Sequence, residues 1–283
     1  MTTNQSPVWF ITGCSTGFGR ALAQHALKLG YSTVITARDT AQIADLAVGH
    51  EAQALVLELD VTRPEQVTAA IAAAEARFGR IDVLVNNAGI GYFGSLEASD
   101  ETEVRRMFEI NVWGLASMTR AVLPGMRGRR SGAIINVSSI GGIAALPSLS
   151  FYNASKFAVE ALSESLSKEV AHLGIKVMLV EPGPFRTDWA GRSANQAGAE
   201  IADYEATAKA YTDTIRGYNG KQPGDPKRAA AAIVQAIESA QSPLRLLLGK
   251  AALAGARAKV ELLRTDFETW AHVTEAADFP TGE

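Results

Sequence analysis

Tyr152 and Lys156 are the two residues whose types and spacing most directly suggest chemistry. They are four residues apart, so a helix would place both side chains on one face, one turn from each other. A tyrosine hydroxyl, with a pKa of about 10, is a poor base at neutral pH. An ammonium about 4 Å away favours the phenolate by up to about 4 kcal/mol, enough to bring the pKa of Tyr152 near 7. The pair therefore predicts a general acid/base that removes or donates a hydroxyl proton.

Two serines precede this pair, at the end of the apolar run Ala133–Val137. The hydroxyl of Ser139 would hold the substrate oxygen and stabilise the negative charge that develops on it. Ser138 is the alternative for this role. Tyr152 and Lys156 also have a purely structural interpretation, as an amphipathic helix residue and a surface charge.

A glycine-rich segment follows the first apolar run, Val8–Thr12, and reads Thr12-Gly-Cys-Ser-Thr-Gly-Phe-Gly19. Glycines let the backbone turn sharply and approach a ligand closely, and the N-terminus of the next helix attracts a pyrophosphate. We predict a dinucleotide-binding turn here, although its spacing differs from G-x-G-x-x-G. Its predicted cofactor contacts are Gly13, Ser15, Thr16, Gly17, Phe18 and Gly19. Phe18 could instead pack under the turn, and Cys14 is interpreted as a small filler.

In these motifs the chain resembles the short-chain dehydrogenase/reductase family. The order of the chain through Tyr218–Gly224 and Pro243–Leu246, with its extra C-terminal helix, resembles the retinol- and hydroxysteroid-dehydrogenase-like branch of that family. The glycine-rich turn matches T-G-x-x-x-G-x-G, Asn86–Gly89 matches N-N-A-G, and Pro182-Gly183 matches P-G. The motifs occur in order over roughly residues 8–190. The resemblance implies a Rossmann-type fold and a catalytic tetrad of Asn111, Ser139, Tyr152 and Lys156. In it, Asn111 binds a water in a proton relay, and Lys156 also binds a ribose.

The resemblance implies further contacts with a nicotinamide cofactor. They are Asp60 and Val61 at the adenine, Asn87, Ala88 and Gly89 beside the adenosine, Pro182 and Gly183 after the sixth strand, and Thr187 at the carboxamide or pyrophosphate. Thr187 has an alternative role as the N-cap of the following segment.

The end of the second predicted strand distinguishes NADP from NAD. In the family, an acidic residue at the position of Ala37 would bind the ribose 2′-hydroxyl of NAD. This chain has Ala37 followed by Arg38, and a guanidinium can bind a 2′-phosphate with two parallel hydrogen bonds. We therefore expect NADP, with NAD less favoured. Arg38 could also pair with Asp39, or be a solvated charge.

Short apolar runs alternate with helical patterns along the chain, which predicts a doubly wound parallel α/β sheet of about seven strands. The predicted strands are Val8–Thr12, Thr33–Thr36, Ala54–Leu59, Ile81–Val85, Ala133–Val137, Ile175–Val180 and Leu244–Leu248. The predicted helices are Arg20–Leu29, Thr40–Ala47, Pro64–Phe78, Asp100–Met126, Tyr152–Leu173, Ala202–Arg216, Pro226–Ala240 and Ala251–Trp270. We expect one domain over residues 1–283, with a substrate lid at about 188–223 and a C-terminal helix at about 251–270.

Composition narrows the function classes. The chain has 283 residues, 47% of them hydrophobic and 20% charged, and a mean hydropathy of +0.04, which excludes a disordered protein. A net charge of −3 argues against nucleic-acid and anionic-membrane partners. The lone Cys14 excludes an intrachain disulfide, and the scattered histidines predict no metal site. With no signal peptide and no long apolar run, we expect a cytoplasmic protein.

The residues expected to line the pocket are mostly apolar or aromatic, which predicts a lipophilic or aromatic secondary alcohol or ketone as substrate. They are Gly91, Tyr92, Phe93, Gly141, Gly142, Ile143, Leu146, Phe151, Pro184, Phe185 and Trp189, with Tyr204, Tyr211 and Tyr218 in the lid. The resemblance implies a homodimer or homotetramer joined through the two long helices, where Val104, Phe108, Val112 and Leu115 could face core or partner. The alternative function is an NADP(H)-binding regulator or scaffold without chemistry.

Overall fold

The computed structural model describes residues 6–191, 193–198 and 201–279. Its main sheet has seven strands, all parallel, in the order β3-β2-β1-β4-β6-β7-β9. The strands are β1 Val8–Ile11, β2 Ser32–Ala37, β3 Ala54–Glu58, β4 Val83–Asn86, β6 Gly132–Val137, β7 Ile175–Pro182 and β9 Arg245–Leu248. The doubly wound α/β fold and the number of strands are confirmed. Two strands were missed, β5 Gly91–Phe93 and β8 Ala194–Gln196, which pair in parallel outside the main sheet.

Helices cover both faces of this sheet. They are α1 Gly17–Lys28, α2 Pro64–Phe78, α3 Glu101–Phe108, α4 Leu115–Arg129, α5 Ser150–Val170, α6 Ala210–Gly217, α7 Pro226–Glu238 and α8 Lys250–Glu275. Because successive strand residues point to opposite faces, the central strand β1 contributes Ile11 to the core shared with α1 and α7, and Phe10 to the core shared with α2 and α4. Strands buried on both faces are what the uninterrupted apolar runs predicted.

Four helix predictions need correction. The predicted helix Ala202–Arg216 begins with a 3₁₀ turn, Ala202–Tyr204, and a π-helical stretch, Glu205–Lys209, and is α-helical only from Ala210. The predicted helix Thr40–Ala47 is two 3₁₀ turns, because Asp39 caps the first at Ala41 and the backbone leaves the helical region at Ile43, with φ −129° and ψ −1°. The long helix predicted from Asp100 to Met126 contains a π-helical stretch, Glu109–Gly114, between α3 and α4. The C-terminal helix is longer than predicted. Its first turns bury Ala252 and Ala256, whereas nearly all described residues beyond Ala256 are exposed.

The sheet order determines where a ligand can bind. The chain leaves β1 towards β2 and β3 on one side, and β4 begins the other half of the sheet. Ligands of doubly wound sheets bind in the crevice at this change of direction, beyond the carboxyl ends of the strands. The glycine-rich turn after β1 and the serines after β6 therefore lie at the same edge.

In the part of the chain that the structure describes, no helix combines the length and the apolar character that crossing a bilayer requires.

Candidate active site

The six residues predicted in the glycine-rich segment divide between the turn after β1, which holds Gly13, Ser15 and Thr16, and the first turn of α1, which holds Gly17, Phe18 and Gly19. Gly13 and Gly17 have φ angles of +69° and +59°, a backbone region that glycine occupies without strain. A Cβ atom on Gly19 would lie 2.4 Å from both Asn87 Nδ2 and Gly13 O, so only glycine fits this position. Thr16 occupies the N-cap position of α1, and among the described residues its side chain makes no capping hydrogen bond. The first amide groups of α1 are therefore oriented to bind an anion.

The segment after β4 locks this turn in place. Asn87 Nδ2 donates to the carbonyl oxygens of Thr12 and Gly13, both at 2.9 Å. The Thr12 hydroxyl accepts from the backbone amides of Asn87 and Ala88, at 2.9 and 3.0 Å. The next residue, Gly89, lies against Asn111, since a Cβ there would be 3.1 Å from Asn111 Oδ1. The predicted Asn87, Ala88 and Gly89 thus shape the floor of the crevice.

Arg38 is exposed at the end of β2 and forms no ion pair within residues 6–191, 193–198 and 201–279. The predicted alternative partner, Asp39, instead accepts from the Ala41 amide and from Gln42. Although partial burial opposes it, hydrogen bonds from Thr62 and the charge of Arg38 lower the pKa of Asp60. Arg38 and Asp60 therefore lie on the same side of the crevice. Val61 is buried against Gly114 in the π-helical stretch.

Ser139, Tyr152 and Lys156 converge at the carboxyl end of β6. Tyr152 and Lys156 are both buried on α5, and Lys156 Nζ lies 5.8 Å from the centre of the Tyr152 ring. Lys156 Nζ also donates to the carbonyl oxygen of Val137 at 2.8 Å. Ser139 Oγ accepts from the Gly141 amide at 3.0 Å. A Cβ on Gly141 would lie 3.4 Å from Ser139 Oγ and 3.6 Å from the Tyr152 ring, so the two side chains are neighbours. Ser138, the alternative, is buried on the side of Glu160.

The titration of Tyr152 differs from the expectation. Burial raises the pKa of Tyr152 to about 12, and the hydrogen bond with Ser139 opposes this. Burial lowers the pKa of Lys156 to about 8, against the opposing charge of Glu160. The expectation that Lys156 alone brings the pKa of Tyr152 near 7 is therefore wrong for these protein groups, because it ignored desolvation of the phenolate. Tyr152 is therefore a neutral phenol at neutral pH.

Asn111 lies in the π-helical stretch, where it is buried. Its Oδ1 accepts from the Ile90 amide and its Nδ2 donates to the Ile90 carbonyl oxygen, both at 2.9 Å. A weaker contact runs from Nδ2 to Ser155 Oγ at 3.2 Å. The side-chain amide is thus used to hold the loop after β4, and a water in a relay would have to bind elsewhere on this residue. A π-helical turn at such a position often marks a functional site.

The loop after β7 closes the crevice from the opposite side. Gly183 donates to the Leu248 carbonyl at 3.0 Å, which ties the Pro182-Gly183 element to β9. Thr187 faces the glycine-rich turn, since a Cβ on Gly17 would lie 3.4 Å from its side chain. Its Oγ1 also caps the following turn at Trp189, at 3.4 Å. Phe18 packs against Phe185, with ring centres 5.0 Å apart.

A segment after this loop lies over Tyr152, and we name the described residues between 188 and 223 the covering segment. Its Trp189 ring is 5.0 Å from the Tyr152 ring and 5.4 Å from the Phe93 ring. A Cβ on Gly91 would lie 2.8 Å from Trp189, so the indole requires glycine there. Tyr152 thus belongs to an apolar cluster that includes the predicted Tyr92, Phe93, Leu146, Phe151 and Trp189.

Arg216, which the sequence did not single out, fastens the covering segment. It donates to the carbonyl oxygens of Ala190 and Ala194, at 3.2 and 2.9 Å, and its guanidinium lies 4.9 Å from the Phe93 ring centre. Of the three tyrosines expected in the lid, Tyr211 packs in the apolar cluster, whereas Tyr204 and Tyr218 are exposed. The pairing of β5 with β8 adds backbone hydrogen bonds to this closure.

Two buried carboxylates, Glu160 and Glu181, and their partner Arg245 were also missed. The spacing of four residues from Lys156 to Glu160 could have revealed the first, because it continues the face that carries Tyr152 and Lys156. No comparable signal in the sequence links Glu181 to Arg245.

Comparisons with known proteins agree with this geometry. The family model "short chain dehydrogenase" matches residues 7–198. The chain belongs to this family. It is 38% identical over 272 residues to Oxidoreductase BOA17 of Botryotinia fuckeliana, covering 95% of this chain and 98% of that one. It is 36% identical to human Retinol dehydrogenase 8 over 250 residues, 83% of this chain and 79% of the relative. These matches show an oxidoreductase of the family that acts on CH–OH or C=O groups.

Solved structures show the same fold with nicotinamide cofactors. A short-chain dehydrogenase from Streptomyces avermitilis superposes with a TM-score of 0.92 at 41% identity, covering 98% of this chain and 100% of that chain. A family member from Burkholderia phymatum in complex with NAD has a TM-score of 0.80 at 28% identity, covering 93% and 97%. ElxO with NADP bound has a TM-score of 0.73 at 28% identity, covering 88% and 100%. The glycine cradle and the uncapped start of α1 fit such a cofactor.

Proposed function

We propose that this protein transfers a hydride between NADP(H) and a lipophilic or aromatic secondary alcohol or ketone, with Tyr152 as the general acid/base. The observation that carries the proposal is the convergence of Ser139, Tyr152 and Lys156 under an apolar cover at the carboxyl edge of the sheet.

The cofactor would supply or accept the hydride. The protein's own groups bind the substrate oxygen and transfer its proton. Ser139 donates a hydrogen bond to the substrate oxygen, and the protonated Tyr152 gives it a proton as negative charge develops there. The ammonium of Lys156 stabilises the phenolate that this transfer leaves behind. Since burial keeps Tyr152 protonated, the site holds the proton that reduction of a ketone consumes.

The cofactor preference rests on Arg38. Its guanidinium is exposed and without an ion-pair partner in the described chain, on the side of the crevice where Asp60 lies. Asp39, the acidic neighbour, is engaged by Ala41 and Gln42. A 2′-phosphate beside Arg38 would form charge-assisted hydrogen bonds that NAD lacks.

The substrate class rests on the surroundings of Tyr152. Phe93, Phe151 and Trp189 belong to the cluster that contains Tyr152. An aromatic or long-chain ketone would bury its apolar part against these rings. We propose that the covering segment is a lid, and that Trp189 moves off Tyr152 when substrate binds.

The subunit contact is also a proposal. Val104, Val112 and Leu115 are buried in the core, so they do not face a partner. Trp113, Phe157 and Leu162, on the π-helical stretch and α5, are 61%, 43% and 44% exposed. We propose that these apolar side chains join two copies of the chain in a homodimer or homotetramer.

A panel of aromatic and aliphatic ketones, assayed by nicotinamide absorbance with NADPH and with NADH, tests the proposal. We expect turnover with NADPH, and a loss of at least about 10³-fold in Tyr152→Phe. Tyr204→Phe, which removes an exposed hydroxyl of the covering segment, is the matched control and keeps its activity. Cofactor binding without turnover of any ketone or alcohol would favour a regulator or scaffold instead.

A further inference from the structure

Two glutamate side chains are buried in the region next to Lys156, one on α5 and one on β7. The mechanism proposed above uses neither of them. Glu160 follows Lys156 by four residues on α5 and is 6% exposed, while Glu181, near the end of β7, is 0% exposed. Glutamates are almost never buried this deeply unless they are paired. The Glu160–Glu181 pair therefore needs an explanation, and its position beside a catalytic candidate suggests one.

The charged groups around this pair come from three elements. Lys156 and Glu164 are on α5, Glu181 is on β7, and Arg245 is on β9. Arg245 Nε lies 3.2 Å from Glu160 Oε2 and 3.5 Å from Glu181 Oε1, and its Nη2 lies 2.8 Å from Glu164 Oε2. One guanidinium thus faces three carboxylates.

The surroundings of Glu160 exclude water. A Cβ on Gly142 would lie 2.7 Å from Ser138 Oγ and 3.2 Å from Glu160 Oε1, so Gly142 packs directly over both groups. In the described chain, neither oxygen of Glu181 has a protein hydrogen-bond donor, and Glu160 Oε1 has none. Two adjacent carboxylates in such a place cannot both be charged. A proton on one of them supplies the missing donor.

The charges identify where that proton resides. Burial, and then the negative charge of Glu160, raise the pKa of Glu181 to about 8, against the opposing effect of Arg245. Burial also raises the pKa of Glu160, but Ser138 and Arg245 oppose this. Arg245 Nε also donates a hydrogen bond to Glu160 Oε2, whereas neither oxygen of Glu181 has a donor in the described chain, so we assign the proton to Glu181 and the charge to Glu160 at neutral pH.

We propose that Glu160 is a positioning residue for the proposed reaction and that its carboxylate keeps Lys156 in the ammonium form. In this arrangement the protonated Glu181 places no second negative charge beside Glu160. The inference rests on the proposed function, in which Lys156 must be charged to stabilise the phenolate. Burial favours the neutral amine of Lys156, and the negative charge of Glu160 opposes that effect.

The test compares Glu160→Gln with Glu164→Gln in the full-length protein. Glu164 lies one turn further along α5 and binds the same arginine, but its side chain is 42% exposed, which makes it the matched control. Two readouts are recorded: the pH profile of kcat/KM for ketone reduction, and the pH titration of Lys156. The latter is followed by NMR of protein labelled with [ε-13C]lysine, with the Lys156 signal assigned by its absence in Lys156→Arg.

We expect Glu160→Gln to move both the alkaline limb of kcat/KM and the Lys156 titration to lower pH by about one unit. At pH 8, close to the pKa of Lys156 in the unmodified protein, kcat/KM then falls by about fivefold, while Glu164→Gln stays within about twofold of the unmodified protein. Glu181→Gln, which mimics the protonated carboxyl, keeps the activity of the unmodified protein at pH 7. Glu181→Gln also keeps the Glu160 carboxylate and its hydrogen bond with Arg245, so it provides a second variant if Glu160→Gln folds poorly.

If Lys156 titrates at the same pH in Glu160→Gln as in the unmodified protein, the inference is overturned, and the pair serves only to tie α5 to β7 and β9. A Glu181→Gln protein that folds but shifts the Lys156 titration as far as Glu160→Gln also contradicts it. The NMR readout requires no turnover. A shifted Lys156 titration in a protein that reduces no ketone would thus support the inference while the proposed function fails.

Discussion

The glycine-rich turn and the covering segment border the same crevice, but different kinds of contact hold them. Backbone groups and one asparagine hold the turn, with Gly13, Gly19 and Asn87 at near-contact distances. Side chains hold the covering segment in large part, through the Trp189 stack and the two hydrogen bonds of Arg216. The position of the backbone atoms in the turn cannot change without changing the fold, whereas the side chains that hold the covering segment can be replaced by others. The cofactor side of the crevice therefore fits one shape of ligand, and the substrate side can fit ligands of different shapes.

The largest effect is expected from Gly19→Ala. Its Cβ would lie 2.4 Å from Asn87 Nδ2 and Gly13 O, so the turn must shift, at a cost of about 1–3 kcal/mol in the free energy of unfolding. That corresponds to a fall in Tm of roughly 2–10 °C, together with loss of measurable NADPH binding. Calorimetry and fluorescence titration check both quantities.

The matched control for this substitution is Gly217→Ala, in the covering segment. No atom lies within 4 Å of a Cβ there, so its Tm should stay within about 2 °C of the unmodified protein. Equal effects of the two substitutions would contradict the contrast between the two regions.

Arg38→Ala tests the adenosine end of the crevice. Hydrogen bonds to a charged group contribute about 1.5–3 kcal/mol, so kcat/KM with NADPH should fall by roughly 10–150-fold, with little change for NADH. Steady-state kinetics with both cofactors measure this. A parallel loss with NADH would show that Arg38 acts on the fold rather than on a 2′-phosphate. Arg63→Ala, which removes another exposed arginine, serves as the control.

Trp189→Ala tests the substrate side. The indole contacts the rings of Tyr152 and Phe93, and an aromatic ketone that takes the place of Tyr152 beside it would form one aromatic pair, which contributes about 0.5–1.5 kcal/mol. We expect KM for aromatic ketones to rise by roughly 2–13-fold in Trp189→Ala, with NADPH affinity unchanged. Trp270→Ala, at an exposed tryptophan of α8, is the control. A loss of NADPH binding in Trp189→Ala would mean that the two regions are not independent.

A further effect is expected on the pH dependence of stability. The pKa of Glu181 is raised to about 8 in the folded protein, so its contribution is fully present below its unfolded pKa, near pH 4.5, and is lost as the pH rises towards 8. Glu181→Gln removes this titration, so Tm should depend less on pH between about 5 and 8. Thermal unfolding over that range checks it, and an unchanged slope would contradict the protonation assigned to Glu181.

Residues close together in the sequence made much of the site predictable. The turn from Gly13 to Gly19, the serines after β6 and the i, i+4 pair Tyr152 and Lys156 are each set by local spacing on one strand end or helix. The alternation of apolar runs and helices was enough for the parallel sheet, because its strands must be buried on both faces. The short strands β5 and β8 were missed, since three residues carry no periodic signal.

Only the tertiary structure decided the features that depend on burial or on distant residues. Glu160, Glu181 and Arg245 meet because α5, β7 and β9 are neighbours in the fold, and Trp189 reaches Tyr152 only through the path of the covering segment. The high pKa of Tyr152 has the same origin, since desolvation depends on everything packed around the phenol. The sequence by itself determined which chemical groups are present and how they are spaced along one strand end or one helix, because the geometry of a single helix or strand follows from neighbouring residues. Their charge states and partners depended on the tertiary structure, because electrostatic free energy depends on the whole surrounding volume.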